Sequence, residues 1–204
     1  PNGYLPLKNI KKRDIKNKLK LVYTGRFYEN MQNVRPLFEA LKKFVILYPK
    51  YKNNLCLDFY GPFSSYLELE IKRHNIESIV KQNGIVGRKK IISIYEEANV
   101  LILFNWLKKE EGIFPLKFYE YLHAKKLIFT IGEDNSGEIN NILNKTKTGF
   151  NLIDSKSILD KIIFLNNKLI RNRSIQNKIN HSEIKKYSIF AAGLKLDRVL
   201  STLK

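Results

Sequence analysis

Lys117 and Glu120 stand three residues apart in the stretch EEGIFPLKFYEYLHAKKLIFTIG, which runs from Glu110 to Gly132. An ammonium and a carboxylate at that spacing share one face of a helix. Two chemistries are open to them. They can form a surface ion pair, or they can floor a site in which the lysine meets phosphate and the glutamate accepts from sugar hydroxyls. Pro115 suits the first turn of a helix, where its missing N–H is not needed, so the spacing predicts a helix over 115–124. Leu116, Phe118, Tyr119 and Leu122 on that helix are candidates for a core.

The elements around this stretch must position it. Apolar runs of strand length fall at 18–25, 54–61, 78–87, 99–106, 126–132 and 148–154. Amphipathic runs of helical length alternate with them at 34–49, 65–75, 88–98, 115–124 and 136–145. From 155 onward the chain reads as helices alone, packing on a sheet edge or on something outside this sequence. Strand–helix alternation implies βαβ crossovers and a parallel sheet. The run NVLILF is apolar at every position, as a strand buried on both faces requires. The expected fold is α/β: a Rossmann-like parallel sheet with helices on both faces, plus a C-terminal helical tail. The expected division is a linker over 1–18, the sheet domain over 19–154 and the tail over 155–204.

Ligands of such sheets bind beyond the carboxyl ends of the strands. In this chain those ends are Gly25-Arg26, Gly61-Pro62, Gly84 to Arg88, Asn105 to Gly112 and Gly132 to Gly137. Glycine occurs at all five. One glycine in a βα turn is ordinary, but five along one edge point to a cleft where a ligand meets the backbone closely. Gly25 and Gly61 are the close-approach candidates. Arg26, Arg88 and Lys117 can pair with phosphate, and helices starting near 115 and 136 offer backbone donors.

Other chemistries lack their residues. There is no G-x-G-x-x-G and no G-x-x-x-x-G-K-[ST]. His74, His123 and His181 have no metal-ligand spacing, and no G-x-S-x-G elbow is present. The single Cys56 excludes an internal disulfide and reads as a buried strand residue. With 44% hydrophobic and 12% aromatic residues in 204, the chain can bury a sizeable core. Neither a leader peptide nor a membrane-spanning run is legible, so a cytoplasmic location is expected. The net charge of +18 suits an anionic partner. Its lysines are scattered among Asn and Ile in every segment, the pattern of a solvated surface and biased composition. A nucleotide diphosphate linked to a sugar would use the basic groups, the helix ends and Glu120 together.

Six segments in order resemble the donor-binding, C-terminal half of a GT-B glycosyltransferase of the family 4 type. They are PNG (1–3), YTGRFYENMQNVRPLFEAL (23–41), LDFYGP (57–62), VKQNGIVGRKKIISIYEEANVLIL (80–103), IFPLKFYEYLHAKKLIFTIG (113–132) and SGEINNILNKTKTGFNLID (136–154). The resemblance implies a nucleotide diphosphate sugar as donor and a glycan or lipid-linked acceptor bound through a missing N-terminal half. It implies neither cofactor nor metal. It places Arg26 and Lys117 at the donor diphosphate, Glu120 at the ribose, Val86, Gly87 and Arg88 near the base, and Glu111, Gly112, Ile113, Phe114 and Pro115 in the donor-sugar loop. No catalytic nucleophile or base is expected in this half, so the chain alone should bind donor and turn over poorly.

The sequence departs from the family pattern at two places. Gly112, not a glutamate, lies eight before Glu120, with Glu111 one position away. The lysine expected shortly after the GR turn is absent from MQN (31–33), and the nearest basic residue is Arg35. A catalytically degenerate homologue and a basic nucleic-acid-binding module remain as alternatives, although no basic stripe or nucleic-acid motif favours the latter. The charge also suits peripheral contact with an anionic membrane surface.

Overall fold

The computed structural model describes residues 18–107, 115–134, 137–172, 175 and 178–202. Six strands form one sheet: β1 (Leu19–Thr24), β2 (Leu55–Tyr60), β3 (Val80–Gln82), β4 (Val100–Phe104), β5 (Leu127–Ile131) and β6 (Gly149–Leu152). Their spatial order is β3-β2-β1-β4-β5-β6, and every neighbouring pair is parallel. Strand order therefore reverses between β1 and β4, which opens a crevice at their carboxyl ends.

The helices are α1 (Arg35–Leu47), α2 (Ser65–His74), α3 (Arg88–Glu97), α4 (Leu116–Ala124), α5 (Glu138–Thr146), α6 (Ser155–Asn172), α7 (His181–Lys185) and α8 (Ile189–Ser201). Two apolar cores sandwich the sheet. One gathers Leu21, Leu57, Ile102 and Phe129 against α1, α2 and α6. The other gathers Val22, Leu101, Leu103 and Ile128 against α3, α4, α5 and Ile184 of α7. Strands β4 and β5 are buried at every position, so VLILF is apolar throughout and LIFTI apart from Thr130, whose hydroxyl donates to Asn151 Oδ1 at 2.6 Å.

Toward the edge the pattern changes. β2 alternates between buried and half-buried positions, and Cys56 is half-buried rather than enclosed as expected. Its neighbours on that face, Asp58 and Tyr60, are half-buried too. Helix α1 stops at Leu47, before Pro49, and a 3-10 turn over Pro49–Asn54 follows, where a single helix to 49 was predicted. Within 78–87, where a short strand with a turn was expected, the strand spans Val80–Gln82.

The tail also differs from expectation. α6 lies on α1 and β1 over a sheet face, not on the sheet edge. Between α6 and α8, where helices alone were expected, only His181–Lys185 is helical among the described residues. α8 buries none of its side chains and leaves Phe190, Leu194, Leu196, Val199 and Leu200 exposed.

Candidate functional site

Strand β1 ends at Thr24 and turns sharply at Gly25, whose φ of +101° is a conformation that residues with a side chain rarely adopt. The turn is locked to β2: the Gly25 N–H donates to the Tyr60 carbonyl at 2.7 Å, and the Gly61 N–H donates to the Gly84 carbonyl at 2.9 Å. A methyl carbon at Gly61 would lie 2.2 Å from the Gly25 oxygen, so the two turns meet backbone to backbone. This contact leaves Arg26 exposed at the rim of the crevice.

Helix α4 approaches the same turn from the other side of the switch point. Pro115 caps it in an extended conformation, and Leu116 is its first residue, one later than predicted. Lys117 sits in the first turn. Its Nζ donates to Tyr23 Oη at 2.9 Å and lies 4.1 Å from the Tyr23 ring centroid. A side chain at Gly25 would meet that ammonium at 3.0 Å, so the glycine leaves room for it. Burial pulls the Lys117 pKa down to about 8, against the opposing charge of Glu120. The lysine is thus poorly solvated until an anion arrives.

Glu120 does not pair with Lys117; among the described residues its carboxylate accepts from Tyr95 Oη of α3 at 3.3 Å. Tyr95 Oη also lies 3.1 Å from Thr24 Oγ1, which lies 3.1 Å from Tyr121 Oη. Tyr121 Oη in turn accepts from the Thr24 N–H at 3.1 Å. Burial raises the pKa of both tyrosines, so their hydroxyls stay protonated across the physiological range. Neither chemistry of the Lys117–Glu120 spacing was decided by sequence. The structure settles the geometric part: they are not an ion pair, and each is held by a different tyrosine.

The remaining predicted positions fall as follows. Gly87 caps α3 and Arg88 opens it, both exposed, while Val86 packs against the second core. Glu111, Gly112, Ile113 and Phe114 lie outside the described residues. The amino end of α5, expected to offer donors to a ligand, is partly engaged: Asp134 Oδ2 accepts from the Asn140 N–H at 2.7 Å. Arg35 is engaged as well, with Nε 3.3 Å from Oε2 of the buried Glu70. It therefore does not stand in for the absent lysine.

Sequence reasoning gave no role in the site to Tyr23, Thr24, Tyr95 or Tyr121. It also missed Asn105. That side chain bridges the ends of three strands by donating to the Gly132 carbonyl at 3.1 Å and to Asn151 Oδ1 at 3.0 Å. Its own Oδ1 is buried without a hydrogen-bond partner among the described residues. The available signal was that a buried tyrosine hydroxyl or amide must find a partner.

The fold and its switch-point crevice define a doubly wound domain of the kind that builds each half of a GT-B glycosyltransferase. The family described as "Glycosyl transferases group 1" matches residues 18–168, and the chain belongs to that family. It is similar in structure to the lipopolysaccharide outer core galactosyltransferase WaaB (TM-score 0.67, 13% identity, covering 100% of this chain and 55% of that one). It is also similar to S. aureus TarM (TM-score 0.64, 16% identity, 93% and 36%). A third similar structure is the pneumococcal O-GlcNAc transferase GtfA in complex with UDP and GlcNAc (TM-score 0.62, 13% identity, 97% and 38%). At these identities the likeness is one of fold. The chain spans about a third of TarM and GtfA and a little over half of WaaB. No curated protein sequence matches it. No helix among the described residues is long and apolar enough to cross a membrane.

Proposed function

We propose that this chain is the donor-binding half of a glycosyltransferase that moves a sugar from a nucleotide diphosphate sugar to a glycan or lipid-linked acceptor without a metal. The observation that carries the reading is the placement of Lys117 and Glu120. Both lie on α4 at the β1/β4 switch point, beside the Gly25-Arg26 turn, and each is oriented by a tyrosine.

As the glycosidic bond to the diphosphate breaks, negative charge grows on the leaving phosphate. Arg26 and Lys117 meet that charge, in the role that a cation takes elsewhere. Lys117 is held in place before the ligand binds, so little reorganisation is needed. Glu120 accepts from the ribose hydroxyls, the Val86–Arg88 segment lies along the base, and Glu111–Pro115 are assigned to the donor sugar. The acceptor and its activation belong to the rest of the protein. Similar structures supply the first ligand to try, since those of GtfA and of a TarM variant contain UDP.

Thermal melting of the chain with UDP, GDP, ADP, dTDP and CMP, and with duplex DNA, tests the reading. A nucleoside diphosphate at a hundredfold over its Kd should stabilise the chain by about 2.7 kcal/mol. That corresponds to a rise of several degrees, at roughly 2–4 °C per kcal/mol for a chain of this size. The rise should survive EDTA. If all the nucleotides leave the melting point unmoved while DNA shifts it in a salt-sensitive way, the chain is a nucleic-acid-binding module instead.

A further inference from the structure

The hydrogen bonds around Thr24 have only one consistent direction. The Thr24 N–H is a fixed donor and gives its proton to Tyr121 Oη. At the other end a carboxylate is a fixed acceptor, and Tyr95 Oη gives its single proton to Glu120. Tyr95 must then accept from Thr24 Oγ1, and Thr24 must accept from Tyr121. Every hydroxyl in the run is both donor and acceptor, and every proton points toward Glu120. Such a chain polarises from end to end. It begins at the amide directly before Gly25, in the turn assigned to the diphosphate, and ends at the carboxylate assigned to the ribose.

We infer that Tyr95 is a positioning residue that fixes the Glu120 carboxylate for ribose recognition, and that the Tyr121–Thr24–Tyr95 relay ties this carboxylate to the Gly25 turn. The inference rests on the reading of Glu120 given above. Tyr95 is fully buried and packs edge-on against the Tyr121 ring with centroids 5.6 Å apart. Its hydroxyl therefore cannot follow Glu120 if the carboxylate swings away. The other Glu120 oxygen has no hydrogen bond among the described residues, so it can accept from a ligand hydroxyl without breaking the relay. Tyr95 touches no ligand in this arrangement. It sets the difference between a nucleotide that has ribose hydroxyls and one that lacks them.

The test is calorimetric binding of UDP, GDP and ADP, each paired with its 2′,3′-dideoxy counterpart, to the wild-type chain and to Tyr95→Phe, Thr24→Val and Glu120→Gln. The pair with the tightest ribonucleotide is read. The wild-type chain should prefer the ribonucleotide by about tenfold or more, the scale of a hydrogen bond to a charged group. Glu120→Gln should lose most of that preference. Tyr95→Phe should lower it about three- to tenfold while leaving affinity for the dideoxy nucleotide unchanged, which also shows that the site is intact. Thr24→Val, one link further back, should lower it by less. A Tyr95→Phe chain with wild-type preference, or one that loses both ligands equally, overturns the role of Tyr95 alone. If none of the three ribonucleotides binds, or the wild-type chain does not prefer ribose, the reading of Glu120 falls and the inference falls with it.

Discussion

Lys117→Met should weaken binding of the nucleoside diphosphate by ten- to a hundredfold and, at the same time, raise the melting point of the ligand-free chain. The two effects have one cause. A hydrogen bond between charged partners contributes about 1.5–3 kcal/mol, and the substitution removes it from the complex. In the free chain the half-buried ammonium is partly desolvated, with its pKa pulled from 10.5 down to about 8 by burial. The sign follows from linkage. Below about pH 8 the group is charged in both folded and unfolded chains, so its destabilising effect is fully present. As pH rises from 8 toward 10.5 the unfolded chain binds more protons, and that effect is relieved. Diphosphate binding runs the other way, because it needs the proton. Affinity should be level below neutrality and should fall as pH rises through about 8; in Lys117→Met that fall should vanish. Titration calorimetry from pH 6 to 9.5 and melting curves over the same range measure both. A variant that binds as wild type, or that melts lower than wild type, contradicts this assignment.

Gly61→Ala should cost about 3 kcal/mol of stability, at the upper end for an overpacked site. The new methyl carbon would stand 2.2 Å from the Gly25 oxygen and 2.7 Å from its carbonyl carbon. Both are backbone atoms of a turn that is itself tied to Tyr60, so no side chain can swing aside. The β1 and β2 turns must separate, and Arg26 moves with them. A fall in melting point of about 6–12 °C is expected, together with loss of the nucleotide response. Gly193→Ala is the matched control. It lies within α8 with open space around it, and there alanine should stabilise by up to about 1 kcal/mol. A Gly61→Ala chain that melts within a degree of wild type would show that the turns yield more easily than their geometry implies.

The sheet was legible in the sequence because its central strands are almost wholly apolar and its turns are marked by glycine. VLILF and LIFTI allow little other than strands buried on both faces. The tail was read less well. Amphipathic periodicity continues through 173–188, yet 178–180 are non-helical before the short α7. Periodicity alone does not register such a break. In the crevice, residue type pointed to Lys117 and Glu120, but an i,i+3 pattern does not say which face of a helix meets the sheet. That answer depends on Tyr23 and Tyr95, which come from a strand and a helix distant in sequence. Thr24 meets Tyr95 and Tyr121 across separations of 71 and 97 residues. Local sequence can show that a buried tyrosine needs a partner, not which one it finds. Arg35 carries the same lesson: sequence gave it only as the basic residue nearest the absent lysine, and its engagement with Glu70 of α2 is invisible until the helices are packed.

The position of α6 sets the order in which the molecule can be completed. Ile158, Ile162, Leu165 and Leu169 cover the apolar surface of α1 and β1, which leave a ribosome before the other described elements of this sheet. About a hundred residues separate α1 from α6, and at roughly 5–20 residues per second their synthesis takes on the order of ten seconds. During that interval β1 gains β2 and then β4 as neighbours, but it lacks its covering helix until the end. Nascent chains should therefore be vulnerable to aggregation and attractive to chaperones until α6 emerges, and a ribosome stalled before 155 should hold a protease-sensitive intermediate rather than a finished sheet.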